Sequence, residues 1–234
     1  MGKKVKFNIR DEIQQRASFE FLHRYGFAMA CWARVEQSMY HWFALLTGMP
    51  DDMSRSIFYS ARGFIARAEM LEAAIGTDKK RTQAQISFIK AAAKKARTYS
   101  TFRNTVAHGE PRLNAQTDGS LDDGADVIDA HYTLNQGKSL SSTEPPVTIG
   151  DLGVAGDNFK KLSRYMIWAL PTTSALHAKP PEECLALVLA LPSRPHDKSD
   201  PTPEGSAPQP DKPHRPDKKA YRAAQAAKKA GEKK

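Results

Sequence analysis

The sequence predicts an all-α fold: an antiparallel bundle of four or five helices, interrupted by one long insertion and followed by a disordered basic tail. Two observations carry this prediction. Apolar residues recur in steps of three and four over much of residues 1–191, which is the spacing of one face of an α-helix. Residues 192–234 instead hold 8 of the 15 prolines and almost no large apolar side chains. We therefore divide the chain into a helical domain, 1–191, and a tail, 192–234.

The first predicted helix carries one apolar stripe and ends where Gly48 and Pro50 stop it. The helical pattern extends upstream to about Asp11, and Gly26 is the position where a kink is expected. The steps of four and three place six residues on the buried face: Ala28, Trp32, Val35, Met39, Trp42 and Leu46.

A second stripe predicts one further helix, which either Asp51 or Asp52 caps and Gly76 ends. Its apolar face consists of Ile57, Ala61, Phe64, Ala68, Leu71 and Ile75. The third predicted helix starts near Thr82 and ends at about His108. Its apolar positions are Ile86, Ile89, Ala93, Ala96 and Phe102.

Residues 110–150 interrupt the helical pattern, because Gly, Asp, Asn, Ser and Pro cluster there. A short apolar alternation over 127–134 fits either a β-hairpin or a long irregular excursion. Helical spacing then returns, and its apolar residues are Phe159, Leu162, Met166 and Ala169. A short last helix over 182–191, entered through two prolines, closes the predicted domain.

Composition excludes several classes of protein. The sequence has no run of 18 apolar residues, so no membrane span is expected, and no apolar stretch follows the N-terminal lysines as a secretory signal requires. Two cysteines, Cys31 and Cys184, are too few for a disulfide framework, and no Cys/His spacing suggests structural zinc. We therefore expect a cytoplasmic protein without cofactor or metal. The formal net charge of +9 favours an anionic partner.

The basic residues of the tail and of the third helix are candidates for RNA binding. Residues 192–217 have the composition of a solvated linker, and 218–234 are either a nascent basic helix that orders on a partner or a solubilising terminus. A basic run on the third helix either lines a cleft or is an ordinary solvent-exposed face. The candidates are Lys94, Lys95, Arg97, Lys218, Lys219, Arg222, Lys228 and Lys229.

The segment 103–109, RNTVAHG, ends the third helix and brings three chemically useful side chains together. At about 100° per residue, Asn104 and His108 lie on one face, one turn apart. We expect Asn104 to hydrogen-bond the His108 ring and select its tautomer. We expect Gly109 to end the helix in a left-handed conformation, which leaves His108 at the negative end of the helix dipole.

A histidine beside a permanently charged guanidinium suits a phosphodiester substrate. Arg103 would bind the phosphate oxygens and His108 would transfer protons. Glu36 either orients Arg103 through an ion pair or is simply solvated. The alternative interpretation is a capped helix end, in which His108 and Asn104 satisfy terminal carbonyl groups and Arg103 pairs with a surface carboxylate.

Arg103-Asn104-x-x-x-His108, at the end of a helix in a helical domain, resembles the Arg-x(4–6)-His signature of HEPN domains. By that resemblance, Arg103 and His108 are the signature pair and Asn104 is the polar residue that often follows the arginine. The resemblance spans about residues 11–178 and excludes the insertion and the tail. It implies a four- to five-helix bundle that dimerises and brings two motifs to one cleft. Many members are metal-independent ribonucleases of toxin–antitoxin and defence systems, and others are inactive scaffolds.

Three hypotheses follow from the motif and its resemblance. The leading one is a metal-independent endoribonuclease that acts as a homodimer, with a possible antitoxin or other protein partner. The second is a non-catalytic HEPN-like module that binds RNA or a protein. The third is a helical interaction protein whose motif has only a structural role.

Overall fold

The computed structural model describes residues 9–76, 81–117, 127–135, 145–171 and 178–197. The regular elements are, in chain order, α1 (Ile9–Thr47), α2 (Asp51–Ser60), α3 (Phe64–Ile75), α4 (Gln83–His108), β1 (Glu110–Thr117), β2 (Val127–Asn135), β3 (Val147–Thr148), α5 (Ile149–Trp168) and α6 (Pro181–Leu189). All six helices of the described ranges, one more than the largest number predicted, contribute side chains to one apolar core. The predicted, mostly helical architecture is therefore confirmed, but a small sheet accompanies the helices.

The apolar stripe of α1 is buried as predicted. Its six members are each 5 % exposed or less: Ala28, Trp32, Val35, Met39, Trp42 and Leu46. The helix runs without a break through Gly26. The indole Nε1 of Trp42 donates a hydrogen bond of 2.9 Å to the Met166 carbonyl oxygen, which joins the middle of the core to α5.

The second apolar stripe belongs to two helices, so the prediction of one helix is wrong. The backbone is extended at Ala61, and Gly63 has a φ of 89°, a conformation that a residue without a Cβ adopts at little cost. Ile57 is consequently 38 % exposed instead of buried. The predicted aspartate cap is wrong as well, because Pro50 is the N-cap and both aspartates lie in the first turn of α2. Gly76 ends α3 as predicted.

Two helices begin with a reciprocal capping box. The Thr82 hydroxyl accepts the Gln85 N–H at 3.2 Å, and the Gln85 side chain accepts the Thr82 N–H at 3.1 Å, which confirms the predicted start of α4. Thr148 and Asp151 cap α5 in the same way. The latter helix therefore begins ten residues before Phe159, the first apolar position from which it was predicted.

Close packing between α5 and α1 explains why apolar periodicity is weak in the first turns of α5. A Cβ on Gly156 would lie 2.5 Å from Cδ1 of Phe27, and a Cβ on Gly153 would lie 3.2 Å from a guanidinium nitrogen of Arg24. Both glycines are buried: the Phe27 ring and the Ala28 Cα cover Gly156, and the Arg24 side chain covers Gly153.

The described residues of the insertion form an antiparallel sheet with the order β1-β2-β3. The predicted hairpin is confirmed, with Leu113 opposite Tyr132, whereas β3 was not predicted because two residues are too few to show alternation. The Tyr132 ring lies 5.3 Å from the Phe21 ring of α1, and its hydroxyl accepts a hydrogen bond from Ser18. The sheet is thus attached to the helical core through α1.

The described chain continues past α6 and packs on α4 and α5. The Tyr99 hydroxyl donates a hydrogen bond of 2.9 Å to the Pro192 carbonyl oxygen, and Asn158 donates one of 2.8 Å to the Pro195 carbonyl oxygen. The His196 ring stacks on Phe102 with a centroid distance of 4.6 Å. The expectation of a solvated linker is therefore wrong for residues 192–197. The remainder of the predicted linker and the basic tail lie outside the described residues.

Candidate functional site

Burial of one face of α4 determines how the motif is presented. Tyr99, Ser100, Phe102 and Val106 are buried, and the three motif residues lie at other angles around the helix. Arg103 is partly buried, and Asn104 and His108 are exposed. The structure therefore places all three motif residues on the outer face of the last two turns of α4.

The Arg103 guanidinium is held by two neighbours. Its Nη1 donates a hydrogen bond of 3.1 Å to Oδ1 of Asn104, and its Nη2 lies 3.9 Å from Oε1 of Glu36. The side chain keeps 28 % of its surface exposed. The ion pair with Glu36 that the sequence offered as one of two alternatives is thus present.

Glu36 is the centre of this arrangement, and Arg67 is its closer cationic partner. Oε2 of Glu36 lies 3.1 Å from Nη1 of Arg67, and Oε1 accepts a hydrogen bond of 2.8 Å from the Trp32 indole. The Glu36 side chain is only 16 % exposed, so its charge needs these partners. We call Glu36, Arg67 and Arg103, with Asn104, the arginine cluster.

Sequence analysis did not identify Arg67 as a site residue. It lies on α3, 31 residues from Glu36, and no local spacing joins it to the motif on α4. The only signal was its place on the polar side of the second apolar stripe. Packing of α1, α3 and α4 against each other is what brings the two arginines to one carboxylate.

An exposed aromatic ring adjoins the arginine cluster. The Arg67 guanidinium carbon lies 5.2 Å from the centroid of the Tyr59 ring, within the range of a cation–π interaction. Burial raises the pKa of the Tyr59 hydroxyl above its ordinary value, and the nearby Glu36 carboxylate raises it further. Tyr59 is nonetheless 40 % exposed, so one side of the ring is open to solvent.

The surroundings of His108 differ from the prediction. No described side chain hydrogen-bonds the His108 ring, because the Asn104 amide oxygen accepts from Arg103 instead. Gly109 is not left-handed; it has a φ of −70° and leads directly into β1. A Cβ at this position would lie 2.8 Å from the Thr105 carbonyl oxygen and 3.1 Å from the Leu134 Cβ, so a small residue is required for close packing.

The basic run on α4 is only partly available to a ligand. Lys95 donates hydrogen bonds to the Leu191 and Pro192 carbonyl oxygens at 2.8 and 3.3 Å, and burial lowers the pKa of its ammonium group. Nη2 of Arg97 lies 3.2 Å from Oε2 of Glu72. Of the three, Lys94 is exposed, whereas Lys95 and Arg97 are partly buried. The tail candidates Lys218, Lys219, Arg222, Lys228 and Lys229 lie outside the described residues.

The described part of the chain holds no group of three His, Cys, Asp or Glu side chains arranged to bind a metal ion. Both cysteines are buried and unpaired. None of the helices within the described ranges combines the length and the apolar character that crossing a bilayer requires. Comparisons of the chain with family models, with curated proteins and with solved structures find no match.

Proposed function

We propose that this protein is a metal-independent endoribonuclease of the HEPN type. One observation carries the proposal: Glu36 and Asn104 hold Arg103 in place while His108, near the end of the same helix, stays exposed. A positioned guanidinium binds phosphate oxygens, and an accessible imidazole transfers protons. The resemblance of the motif to the HEPN signature supports the same chemistry.

The proposed reaction is an attack of the RNA 2′-hydroxyl on the adjacent phosphorus. His108 accepts the 2′-hydroxyl proton as the new P–O bond forms, and Arg103 stabilises the charge on the phosphate oxygens. The bond to the 5′-oxygen breaks, and that oxygen takes up a proton. The products are a 2′,3′-cyclic phosphate and a 5′-hydroxyl.

The second proton transfer is assigned to another copy of the motif. A base and an acid on opposite sides of the phosphate require two imidazoles, and one motif supplies one. A two-fold axis brings the same surface patch to itself, so a homodimer supplies the second His108. Light scattering at micromolar concentration should then report a dimer. An active monomer would contradict the two-histidine scheme.

Replacement of the motif histidine tests the proposal. His108→Ala should lower the rate of RNA cleavage by about 10²- to 10⁴-fold, because a general acid or base contributes that much. His23→Ala is the matched control, since His23 is another exposed histidine and lies on α1. Cleavage should persist in EDTA. Undiminished cleavage by purified His108→Ala would contradict the mechanism.

A second candidate is a non-catalytic HEPN-like module that binds RNA or a protein partner such as an antitoxin. The observation that favours it is that no described side chain hydrogen-bonds the His108 ring, whereas the Arg103 guanidinium contacts both Asn104 and Glu36. This candidate predicts RNA or protein binding without cleavage. The same binding by the parent protein and by His108→Ala, with no products from either, would select it.

A further inference from the structure

The arginine cluster contains two guanidinium groups on one carboxylate. Arg67 approaches Oε2 of Glu36 and Arg103 approaches Oε1, so the two guanidiniums are neighbours that come from different helices. One negative and two positive charges leave a net charge of +1. Both arginine side chains remain partly exposed, at 20 % and 28 %. The cluster can therefore attract a singly charged anion at the surface.

Glu36 is held in place by the core, which limits the freedom of both arginines. The indole that donates to Glu36 belongs to Trp32, which is 1 % exposed and packs against the rings of Phe64 and Phe159 at 4.7 and 5.1 Å. Arg67 is further held by the face of the Tyr59 ring. A guanidinium fixed from two sides loses little conformational entropy when it binds a ligand.

We propose that Arg67 is a second phosphate-binding arginine, and that Glu36 positions it beside Arg103 to bind one phosphodiester of single-stranded RNA. This inference rests on the proposed function and adds a residue to its site. A phosphodiester carries one negative charge, which matches the net charge of the cluster. Two guanidinium forks supply charge-assisted hydrogen bonds to both non-bridging oxygens, where one arginine alone supplies a single fork.

The competing explanation is that Arg67 only neutralises the half-buried Glu36. The two roles predict different effects of Arg67 on the salt dependence of RNA binding. A phosphate contact contributes to the salt dependence of RNA binding, with about 0.7 lost from the slope of log K against log salt for each contact on a single strand. A purely structural arginine contributes to the free energy of unfolding and leaves that slope unchanged.

The test uses the full chain with His108→Ala, so that RNA is bound without being cut. Fluorescence anisotropy measures its affinity for a labelled single-stranded RNA of mixed sequence over a series of KCl concentrations. Arg67→Gln should lower the salt slope by about 0.7. Arg67→Lys keeps the charge, so it should keep the slope but lose about tenfold in affinity with the loss of a charge-assisted hydrogen bond.

Arg55→Lys is the matched control for Arg67→Lys. Arg55 also pairs with a carboxylate, Asp51 at 3.5 Å, and also lies over a tyrosine ring, Tyr40 at 5.1 Å, but it does not contact Glu36. This control, made in the same His108→Ala chain, should bind RNA with the affinity of His108→Ala alone. An unchanged slope in Arg67→Gln together with parental affinity in Arg67→Lys would overturn the inference alone. Absence of RNA binding by both the unaltered protein and His108→Ala would overturn the inference and the proposed function together.

Discussion

The indole Nε1 of Trp32 donates a hydrogen bond of 2.8 Å to Oε1 of Glu36, one turn further along α1. Trp32 is buried, whereas Glu36 faces the arginine cluster, so this bond joins the core to the site. The orientation of the Glu36 carboxylate is consequently a property of core packing. Any change that shifts the indole should also shift the two arginines.

Replacing Glu36 should destabilise the fold more than replacing another bridging glutamate. Glu36→Gln should lower the free energy of unfolding by about 1–3 kcal/mol, because two partly buried guanidiniums lose a charged acceptor. Glu72→Gln is the control, because it removes the ion pair between Glu72 and Arg97. These two side chains are 38 % and 36 % exposed, so the loss of free energy of unfolding should be about 0–1 kcal/mol. Urea unfolding measures both variants. Equal losses would contradict the structural importance assigned to Glu36.

The position at which the chain is truncated should decide whether stability is lost. Composition alone predicts no loss of stability when the chain ends at Leu191. The structure predicts a loss, because residues 192–197 pack on α4 and α5. Truncation after Leu191 leaves Tyr99 and Asn158 without their carbonyl acceptors, which should cost about 1–3 kcal/mol for each buried group. Truncation after Asp197 should leave Tm unchanged. Calorimetry on the two truncated proteins makes the comparison, and identical Tm values would contradict it.

Removal of the basic tail should weaken RNA binding without affecting the fold. Truncation after Asp197 removes the five basic tail candidates that begin with Lys218. Each lost phosphate contact should lower the slope of log K against log salt by about 0.7 on single-stranded RNA. Anisotropy titrations at several salt concentrations measure this. An unaltered slope would show that the tail does not contact the RNA backbone.

Two glycines should respond to alanine in opposite ways. Gly156→Ala should destabilise the protein by about 1–3 kcal/mol, because its Cβ would overlap the Phe27 ring. Gly26→Ala is the control, since nothing lies within 4 Å of a Cβ built there. That change should stabilise α1 by about 0.5–1 kcal/mol through lower backbone entropy in the unfolded chain. Chemical unfolding measures the change in the free energy of unfolding for both variants. A decrease in both would contradict the prediction.

Stability should fall in alkaline solution in part through Cys184. Burial, with a further contribution from Glu183, raises the pKa of the Cys184 thiol from its ordinary value of 9.0 to about 11. The unfolded thiol ionises first, so the stabilisation is complete below pH 9 and is lost as the pH rises from about 9 to 11. The free energy of unfolding of Cys184→Ala should fall less between pH 8 and pH 10.5 than that of the unaltered protein. Parallel declines would contradict the assignment.

Local patterns were sufficient where one helix buries one continuous face. The stripe of α1 and the start of α4 near Thr82 were predictable because helical periodicity depends on residues three or four apart. The break between α2 and α3 was not predictable, because Ala61 and Phe64 keep helical spacing across it. Only the backbone conformation at Gly63 distinguishes two helices from one.

The motif residues Arg103, Asn104 and His108 were identifiable from the sequence because they lie within six positions on one helix. Their orientation was decided by tertiary structure. Asn104 accepts from Arg103 and leaves His108 without a described partner, since Glu36 draws the guanidinium to its side of α4. Arg67 enters the site only because α3 packs beside α1, a contact between residues 31 positions apart that no local spacing encodes. The sequence by itself determined the buried face of α1, the extent of α4 and the polar character of the motif side chains. Long-range packing decided which charges meet, because a half-buried carboxylate must find its cations wherever the fold brings them.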